Sequence, residues 1–102
     1  RSMVTEAQVI DVLKTCDDPE LGVNVVDLGL IYKVSIDAKQ DVHVLMTLTT
    51  PGCPLLEYFV DTTGSKIRGL AGVHDARVEI TFDPPWDKSK MSEEAKAQLG
   101  LD

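Results

Sequence analysis

Apolar and polar residues alternate along this chain with two different periods, and each change of period predicts a new element. The first segment has a helical period, in which Thr5 and Gln8 form the pattern of a capping box. Its apolar positions share one face and are predicted to pack in the core: Val9, Val12, Leu13 and Cys16. The run at residues 17–20 contains Pro19 and predicts the end of this helix, because the residue before a proline avoids helical backbone.

Two strands with alternating apolar residues follow the first predicted helix. In the first strand, Tyr32, Val34 and Ile36 are predicted to share one face of a sheet. Residues 37–41 form a short polar connection of the kind that joins a hairpin. Residues 42–49 are therefore predicted to return as an antiparallel strand.

A second helix, a third strand and a last short helix complete the pattern. The second helix is predicted over about residues 54–70, the third strand begins near Ala76, and Ser92 caps the last helix. A strand–helix–strand crossover makes the two strands that it joins parallel. One face of the sheet is polar, which places the helices on the other face. The prediction is an α/β (α+β) fold, a two-layer sandwich with the order α-β-β-α-β-α and a small mixed three-stranded sheet.

Length and composition predict a single small domain over residues 3–102, with Arg1 and Ser2 interpreted as an expression scar. The chain has 17 acidic and 10 basic residues, and its net charge of −7 opposes binding to nucleic acid. No apolar stretch approaches the roughly 20 residues that cross a bilayer, so no membrane contact is expected. Two cysteines without a signal peptide predict a cytoplasmic protein and not a disulfide scaffold.

Cys53 is the residue whose local sequence most favours reactivity. It lies between an apolar strand and an amphipathic helix, and Pro54 after it suits the first helical position. Cys53 is therefore predicted at the helix N-cap, where unpaired N–H groups and the helix dipole favour a thiolate. A thiolate binds metals and attacks electrophiles. The spacing alone leaves open a second interpretation, in which Cys53 is a small buried apolar side chain.

Four short motifs occur in order along nearly the whole chain. They are Asp-Pro-Glu-Leu at 18–21, Asn-Val-Val-Asp-Leu-Gly-Leu-Ile-Tyr at 24–32, Thr-Leu-Thr to Cys-Pro at 47–54 and Asp-Pro-Pro-Trp at 83–86. Together they resemble the PaaD/SufT-like iron–sulfur cluster assembly family, whose domain is shared with the cytosolic iron–sulfur targeting adaptors. The resemblance implies a role in cluster maturation or targeting, with the reactive cysteine at Cys53. It also implies a pocket where two loops meet, lined by Asp18, Glu20, Leu21, Thr49 and Thr50.

A single well-placed thiol cannot build a closed metal site, because iron–sulfur clusters and structural zinc commonly take four protein ligands. No tightly bound cofactor is therefore expected. The resemblance implies transient contact with an iron–sulfur cluster or iron, with Cys53 as a shared ligand. The implied partners are the iron–sulfur assembly machinery and client apoproteins. Ile31 and Leu45 are predicted on the outer sheet face, where an apolar patch would allow a homodimer.

Two alternative functions stay open at this stage. The first is a thiol-dependent enzyme in which Cys53 acts on a thioester or a disulfide, and it requires a base beside the thiol. The second is an accessory subunit of a multicomponent oxygenase of the phenylacetate-degradation type, which is a branch of the same family. Neither histidine has a spacing that predicts a catalytic base for Cys53.

Several residues also have an ordinary structural interpretation. Asp18 suits a turn ahead of Pro19 as well as a pocket, and Asp27 is predicted as a turn residue. Cys16 departs from the family pattern, which usually has an aliphatic residue nearby, and it is predicted to pack in the core. Trp86 is predicted to be an apolar lid over one end of the sheet.

Overall fold

The structure is a computed structural model that describes residues 3–19, 21–49 and 56–100. Within these ranges the elements are α1 (Glu6–Leu13), β1 (Ile31–Ile36), β2 (Asp41–Met46), α2 (Leu56–Arg68), β3 (Asp75–Ile80) and α3 (Glu93–Leu99), with a 3₁₀ turn at Lys88–Lys90 before α3. The predicted fold class and element order are confirmed. No helix in the described ranges is long and apolar enough to span a bilayer.

The three strands form one mixed sheet in the order β1-β2-β3. β1 and β2 pair antiparallel across the predicted polar connection, and β3 pairs parallel with β2 after the crossover through α2. On the central strand, every second residue is buried: Val42, Val44 and Met46. These residues belong to one apolar core with residues of α1 and α2, so both helices lie against the same face of the sheet.

β1 contains an irregularity that the sequence pattern did not predict. Ile31 lies opposite Met46 and Lys33 lies opposite Leu45, which makes Tyr32 an extra residue in the ladder. The predicted alternation along β1 is therefore wrong at Tyr32. Ile31 takes a core-facing position and packs against the buried cluster. Ile31 therefore does not belong to the apolar patch that was predicted for it and Leu45 on the outer face of the sheet.

The first helix begins where the sequence predicts and ends earlier. The Thr5 hydroxyl accepts the Gln8 N–H at 3.2 Å, and the Gln8 side chain accepts the Thr5 N–H at 2.9 Å, which completes the capping box. α1 ends at Leu13, whereas the apolar pattern extended it to Cys16. Two tighter turns follow, in which the N–H groups of Thr15 and Cys16 donate to carbonyls three residues earlier. These turns keep Cys16 in the core, with 4 % of the residue exposed.

The remaining helix ends agree with the sequence signals where they are described. The predicted start of α2 near residue 54 lies outside the described residues, and this helix ends at Arg68. α3 begins after Ser92, whose hydroxyl accepts the Ala95 N–H at 3.1 Å. It ends at Gly100 in the left-handed region, which is the usual conformation of a glycine that closes a helix.

Candidate functional site

The predicted site residues divide into two sets. Three of them lie outside the described residues, and their placement stays a prediction: Glu20, Thr50 and Cys53. The other three are described: Asp18, Leu21 and Thr49. The described part of the site therefore consists of the loop after α1 and the segment that follows β2.

Asp18 organises the loop that follows α1. Its backbone N–H donates to the Val23 carbonyl at 2.9 Å, and its carbonyl accepts the Gly22 N–H at 2.8 Å. Its carboxylate accepts the Leu21 N–H at 3.2 Å, and the residue is only 4 % exposed. A buried carboxylate that closes its own loop has the turn role predicted from its position ahead of Pro19. The Leu21 side chain of the same loop is 37 % exposed.

The Asp18 loop is connected by backbone pairing to the turn at residues 24–30. Asp17 and Asn24 form an isolated antiparallel bridge, and the Val25 N–H donates to the Cys16 carbonyl at 2.9 Å. The loop is therefore closed at its base like a small hairpin. This closure fixes where the buried Asp18 lies relative to the turn.

Asn24 holds the 24–30 turn together from inside. Its side-chain carbonyl accepts the N–H groups of Val26 and Asp27, each at 3.0 Å, and its amide donates to the Asp27 carboxylate at 2.9 Å. Asp27 is therefore a turn residue, as predicted. The role of Asn24 was not predicted, although an asparagine is one of the residues that favour a turn.

The segment after β2 meets the same turn. The Thr47 N–H donates to the Leu30 carbonyl at 2.8 Å, at the end of the turn. Thr47 and Leu48 are buried, and Thr49 is half-buried. The 24–30 turn thus contacts both chain segments that carry predicted site residues. It is the structural link between them.

Cys16 is a buried thiol and is free of disulfide bonds. Its Sγ lies 3.7 Å from the Val12 carbonyl, to which the thiol donates. Burial raises the pKa of the Cys16 thiol, although Lys66 and the hydroxyls of Thr63 and Thr15 act in the opposite direction. A protonated, buried thiol is a poor nucleophile, so Cys16 has the packing role that its position on the apolar stripe predicts.

Both histidines contact carboxylates at β2 and β3. His43 Nε2 lies 3.0 Å from Glu79 Oε1, and His74 Nδ1 lies 2.6 Å from Asp41 Oδ1. The pairs are exposed to solvent. Hydrogen bonding to Asp41 raises the pKa of His74. Among residues 3–19, 21–49 and 56–100, no three histidine, cysteine, aspartate or glutamate side chains are placed to hold a metal ion.

Comparison with known proteins identifies the family. A family model described as iron–sulfur cluster assembly protein matches residues 6–80. The chain belongs to this iron–sulfur cluster assembly family. It is 44 % identical over 97 residues to the Fe-S protein maturation auxiliary factor of Porphyromonas gingivalis, an alignment that covers 95 % of this chain and 92 % of the relative.

Further members of the iron–sulfur cluster assembly family agree in sequence and in fold. The Fe-S protein maturation auxiliary factor SufT of Staphylococcus aureus is 42 % identical over 84 residues, which cover 82 % of this chain and 96 % of that protein. A crystal structure of a domain of unknown function from Bacillus anthracis superposes with a TM-score of 0.90. The two chains are 35 % identical, and the match covers 95 % of this chain and 92 % of the other. The family resemblance of the four motifs is confirmed.

The family model matches one continuous part of the chain, whereas the alignment with the Porphyromonas gingivalis relative covers 95 % of it. Residues 6–80 include the Asp18 loop, the 24–30 turn and the sequence position of Cys53, and they end with the last residue of β3. Residues 81–100 follow this match and include α3. The residues that the family model matches therefore include every predicted site residue.

Proposed function

We propose that this chain is an iron–sulfur cluster assembly or targeting factor in which Cys53 makes a transient contact with a cluster, with iron or with a partner thiol. The observation that carries the proposal is the similarity to maturation auxiliary factors, because it extends over nearly the whole of both chains. This chain covers 92 % of the first of these two relatives and 96 % of the second, which leaves little room for a further domain in either. Iron–sulfur clusters enter the proposal as cargo and not as a resident cofactor.

The chemistry of one thiolate supports delivery of a cluster and not its permanent storage. A protein that holds a cluster permanently commonly supplies four thiolates. Cys53 supplies one, so the remaining ligands come from a client protein, from an assembly protein or from a second copy of this chain. A cargo held by few ligands of the carrier is released readily, which suits a protein that hands it on.

The described residues support a role in shaping the surroundings of Cys53. The Asp18 carboxylate already accepts the Leu21 N–H, so we expect it to fix the loop and not to transfer protons. The 24–30 turn holds this loop and the segment after β2 in a common arrangement. In the proposed site, Glu20 and Thr50 complete the lining, and the N–H groups at the start of α2 favour the thiolate.

The proposed partners are the iron–sulfur assembly machinery and client apoproteins, and the proposed compartment is the cytoplasm. The exposed Leu21 side chain gives a client an apolar contact in the loop of the site. A homodimer would bring a second Cys53 and therefore a second thiolate. No observation on the described residues favours the thiol enzyme or the oxygenase subunit over this function, and both histidines are already paired with carboxylates.

Anaerobic reconstitution with iron and sulfide tests the proposed ligand role. Wild type is compared with Cys53→Ser and with Cys16→Ser, which makes the same substitution at the other cysteine of the chain. We expect wild type and Cys16→Ser to bind iron and sulfide and to develop the visible absorbance of a cluster. Cys53→Ser should lose most of both signals. Equal binding by all three proteins would contradict a ligand role for Cys53.

A client maturation assay tests the wider function. Cells that carry Cys53→Ser in place of wild type are expected to accumulate client apoproteins without clusters, at an unchanged level of the variant. Cys16→Ser serves as the control and should support maturation. If reconstitution fails in every protein while Cys53→Ser still abolishes maturation, the thiol contacts a partner and not the metal. Normal maturation with Cys53→Ser overturns the proposed function.

A further inference from the structure

A segment that follows β3 and begins with the Asp-Pro-Pro-Trp motif crosses the 24–30 turn and the start of β1. We name residues 83–92 the C-terminal strap. The Trp86 indole N–H donates to the Leu28 carbonyl at 2.7 Å, and the Tyr32 hydroxyl donates to the Pro84 carbonyl at 2.6 Å. The Trp86 side chain is partly buried against the core, in agreement with the predicted apolar lid. The first half of the strap is thus held by hydrogen bonds to the turn and to β1.

The second half of the strap contacts the same two elements. The Ser92 N–H donates to the Asp27 carbonyl at 2.7 Å, and Lys90 Nζ lies 5.2 Å from the centre of the Tyr32 ring, within cation–π range. Gly29 has a φ of +77°, and a Cβ at this position would lie 2.1 Å from the Lys90 carbonyl oxygen. Glycine therefore permits direct backbone contact between the turn and the strap.

The turn that receives these contacts is also the link between the two segments of the candidate site. On one side, the Val25 N–H is bonded to the Cys16 carbonyl at the base of the Asp18 loop, at 2.9 Å. On the other side, the Leu30 carbonyl is bonded to the Thr47 N–H at 2.8 Å. Any rotation of the turn must break or move bonds to the strap, to the Asp18 loop and to the segment after β2.

We propose that the C-terminal strap positions the candidate site from outside it, with Trp86 as the principal positioning residue. Trp86 holds the Leu28 carbonyl, the turn transmits this restraint, and the Asp18 loop and residues 47–49 thereby keep their positions relative to each other. The proposal rests on the proposed function for its biological consequence. Its structural part rests on the hydrogen bonds and is tested separately.

Hydrogen exchange of backbone amides tests the structural part. Trp86→Phe removes the indole N–H and keeps an aromatic ring. Val78→Ala serves as the control, because it shortens an apolar side chain on β3 that belongs neither to the strap nor to the turn. Both variants are compared at urea concentrations that give equal global stability. We expect the amides of Gly22, Val25 and Leu28 to exchange about fivefold faster in Trp86→Phe, the effect of one lost hydrogen bond. Equal exchange in both variants overturns the proposal.

A milder variant keeps the test decisive if Trp86→Phe does not fold. Tyr32→Phe removes only the hydroxyl that bonds the Pro84 carbonyl and leaves the ring under Lys90 in place. The same amides should exchange faster in this variant than in Val78→Ala, with a smaller difference. If Tyr32→Phe leaves these amides unchanged, the strap does not restrain the turn and the proposal is overturned.

Two functional readouts separate positioning from general stability. Relative to Val78→Ala at an equal protein level, Trp86→Phe is expected to lower client maturation several-fold and to move the midpoint of the pH profile of Cys53 alkylation. A loosened turn with unchanged maturation and an unchanged pH profile overturns the positioning role. Cys53→Ser is assayed in parallel. If that variant matures clients normally, the proposed function fails, whereas the exchange result still decides whether the strap restrains the turn.

Discussion

The two ends of the sheet differ in the share of backbone and exposed side-chain contacts that hold them. At the end where β1 begins and β2 finishes, backbone carbonyls of the 24–30 turn accept bonds from the strap and from Thr47. At the hairpin end, the His74 N–H donates to the Gln40 carbonyl at 2.9 Å, and exposed side chains add further links, such as His74 with Asp41 and Arg68 with Asp75. Exposed ion pairs contribute little and weaken with salt. The site end thus relies on several backbone carbonyls of one turn, whereas the hairpin end relies more on exposed side chains.

The largest expected effect comes from closing the space between turn and strap. Gly29→Ala should lower the free energy of unfolding by more than about 3 kcal/mol, because left-handed strain adds to a backbone clash with Lys90. Gly22→Ala is the matched control, since Gly22 has a φ of +71° and nothing within 4 Å of an added Cβ. It should lose only about 1–2 kcal/mol from the strained backbone. Urea unfolding measures the free energy of unfolding of both variants. Equal losses would show that the contact between Gly29 and the strap does not contribute to stability.

Substitution of one aspartate at each end of the sheet, Asp18 and Asp37, allows a direct comparison of the two ends. Asp18→Ala at the site end leaves the Leu21 N–H without its acceptor, and we expect a loss of about 2 kcal/mol in the free energy of unfolding. Asp37 at the hairpin end accepts the N–H groups of Lys39 and Asp41 at 2.9 and 3.0 Å, yet it is exposed. Asp37→Ala should lose only about 0.5–1 kcal/mol, because water replaces the carboxylate. An equal or larger loss from Asp37→Ala in urea unfolding would contradict the distinction between the two ends.

Local sequence signals predicted the elements that depend on neighbouring residues. The capping box of Thr5, the hairpin at residues 37–41 and the crossover to a parallel β3 all follow from spacing and turn chemistry. The extra residue at Tyr32 was missed because a bulge depends on the register of the partner strand. The early end of α1 was missed because its apolar stripe continues through a tighter turn.

The sequence supplied a set of residues for the candidate site, and the structure describes the arrangement of only some of them. The resemblance supplied Asp18 and Leu21, and Pro19 indicated the turn in which Asp18 lies. The bond between Trp86 and the Leu28 carbonyl joins residues 58 positions apart, which no local pattern encodes. The placement of Cys53 beside this loop stays a prediction, since Cys53 lies outside the described residues.

The buried thiol of Cys16 makes the free energy of unfolding depend on pH. Burial raises the pKa of this thiol above its ordinary 9.0, so the unfolded chain ionises first as the pH rises. The contribution of Cys16 to stability is therefore complete below that value and is lost as the pH rises through the folded pKa. We expect the free energy of unfolding to fall less steeply above pH 9.0 in Cys16→Ala than in wild type. Parallel curves for the two proteins would indicate that the thiol ionises as easily in the fold as outside it.

The smallest expected effect lies at the hairpin end, in the pair between His74 and Asp41. The hydrogen bond to Asp41 and the charge of this carboxylate raise the pKa of His74 above its ordinary 6.5, with Asp75 acting in the same direction and Lys39 against it. A raised histidine pKa stabilises the fold below the ordinary value, and this contribution is lost as the pH rises through the folded pKa.

Asp41→Asn should therefore return the His74 midpoint in an NMR titration towards 6.5, whereas Glu79→Gln, which alters the partner of His43, should leave it unchanged. The pair is exposed and lies at the opposite end of the sheet from the bond between Trp86 and Leu28. We therefore expect the backbone amides of Val25 and Leu28 to exchange in Asp41→Asn as they do in wild type. Faster exchange there would mean that the two ends of the sheet are coupled. The strap would then share control of the turn with the hairpin.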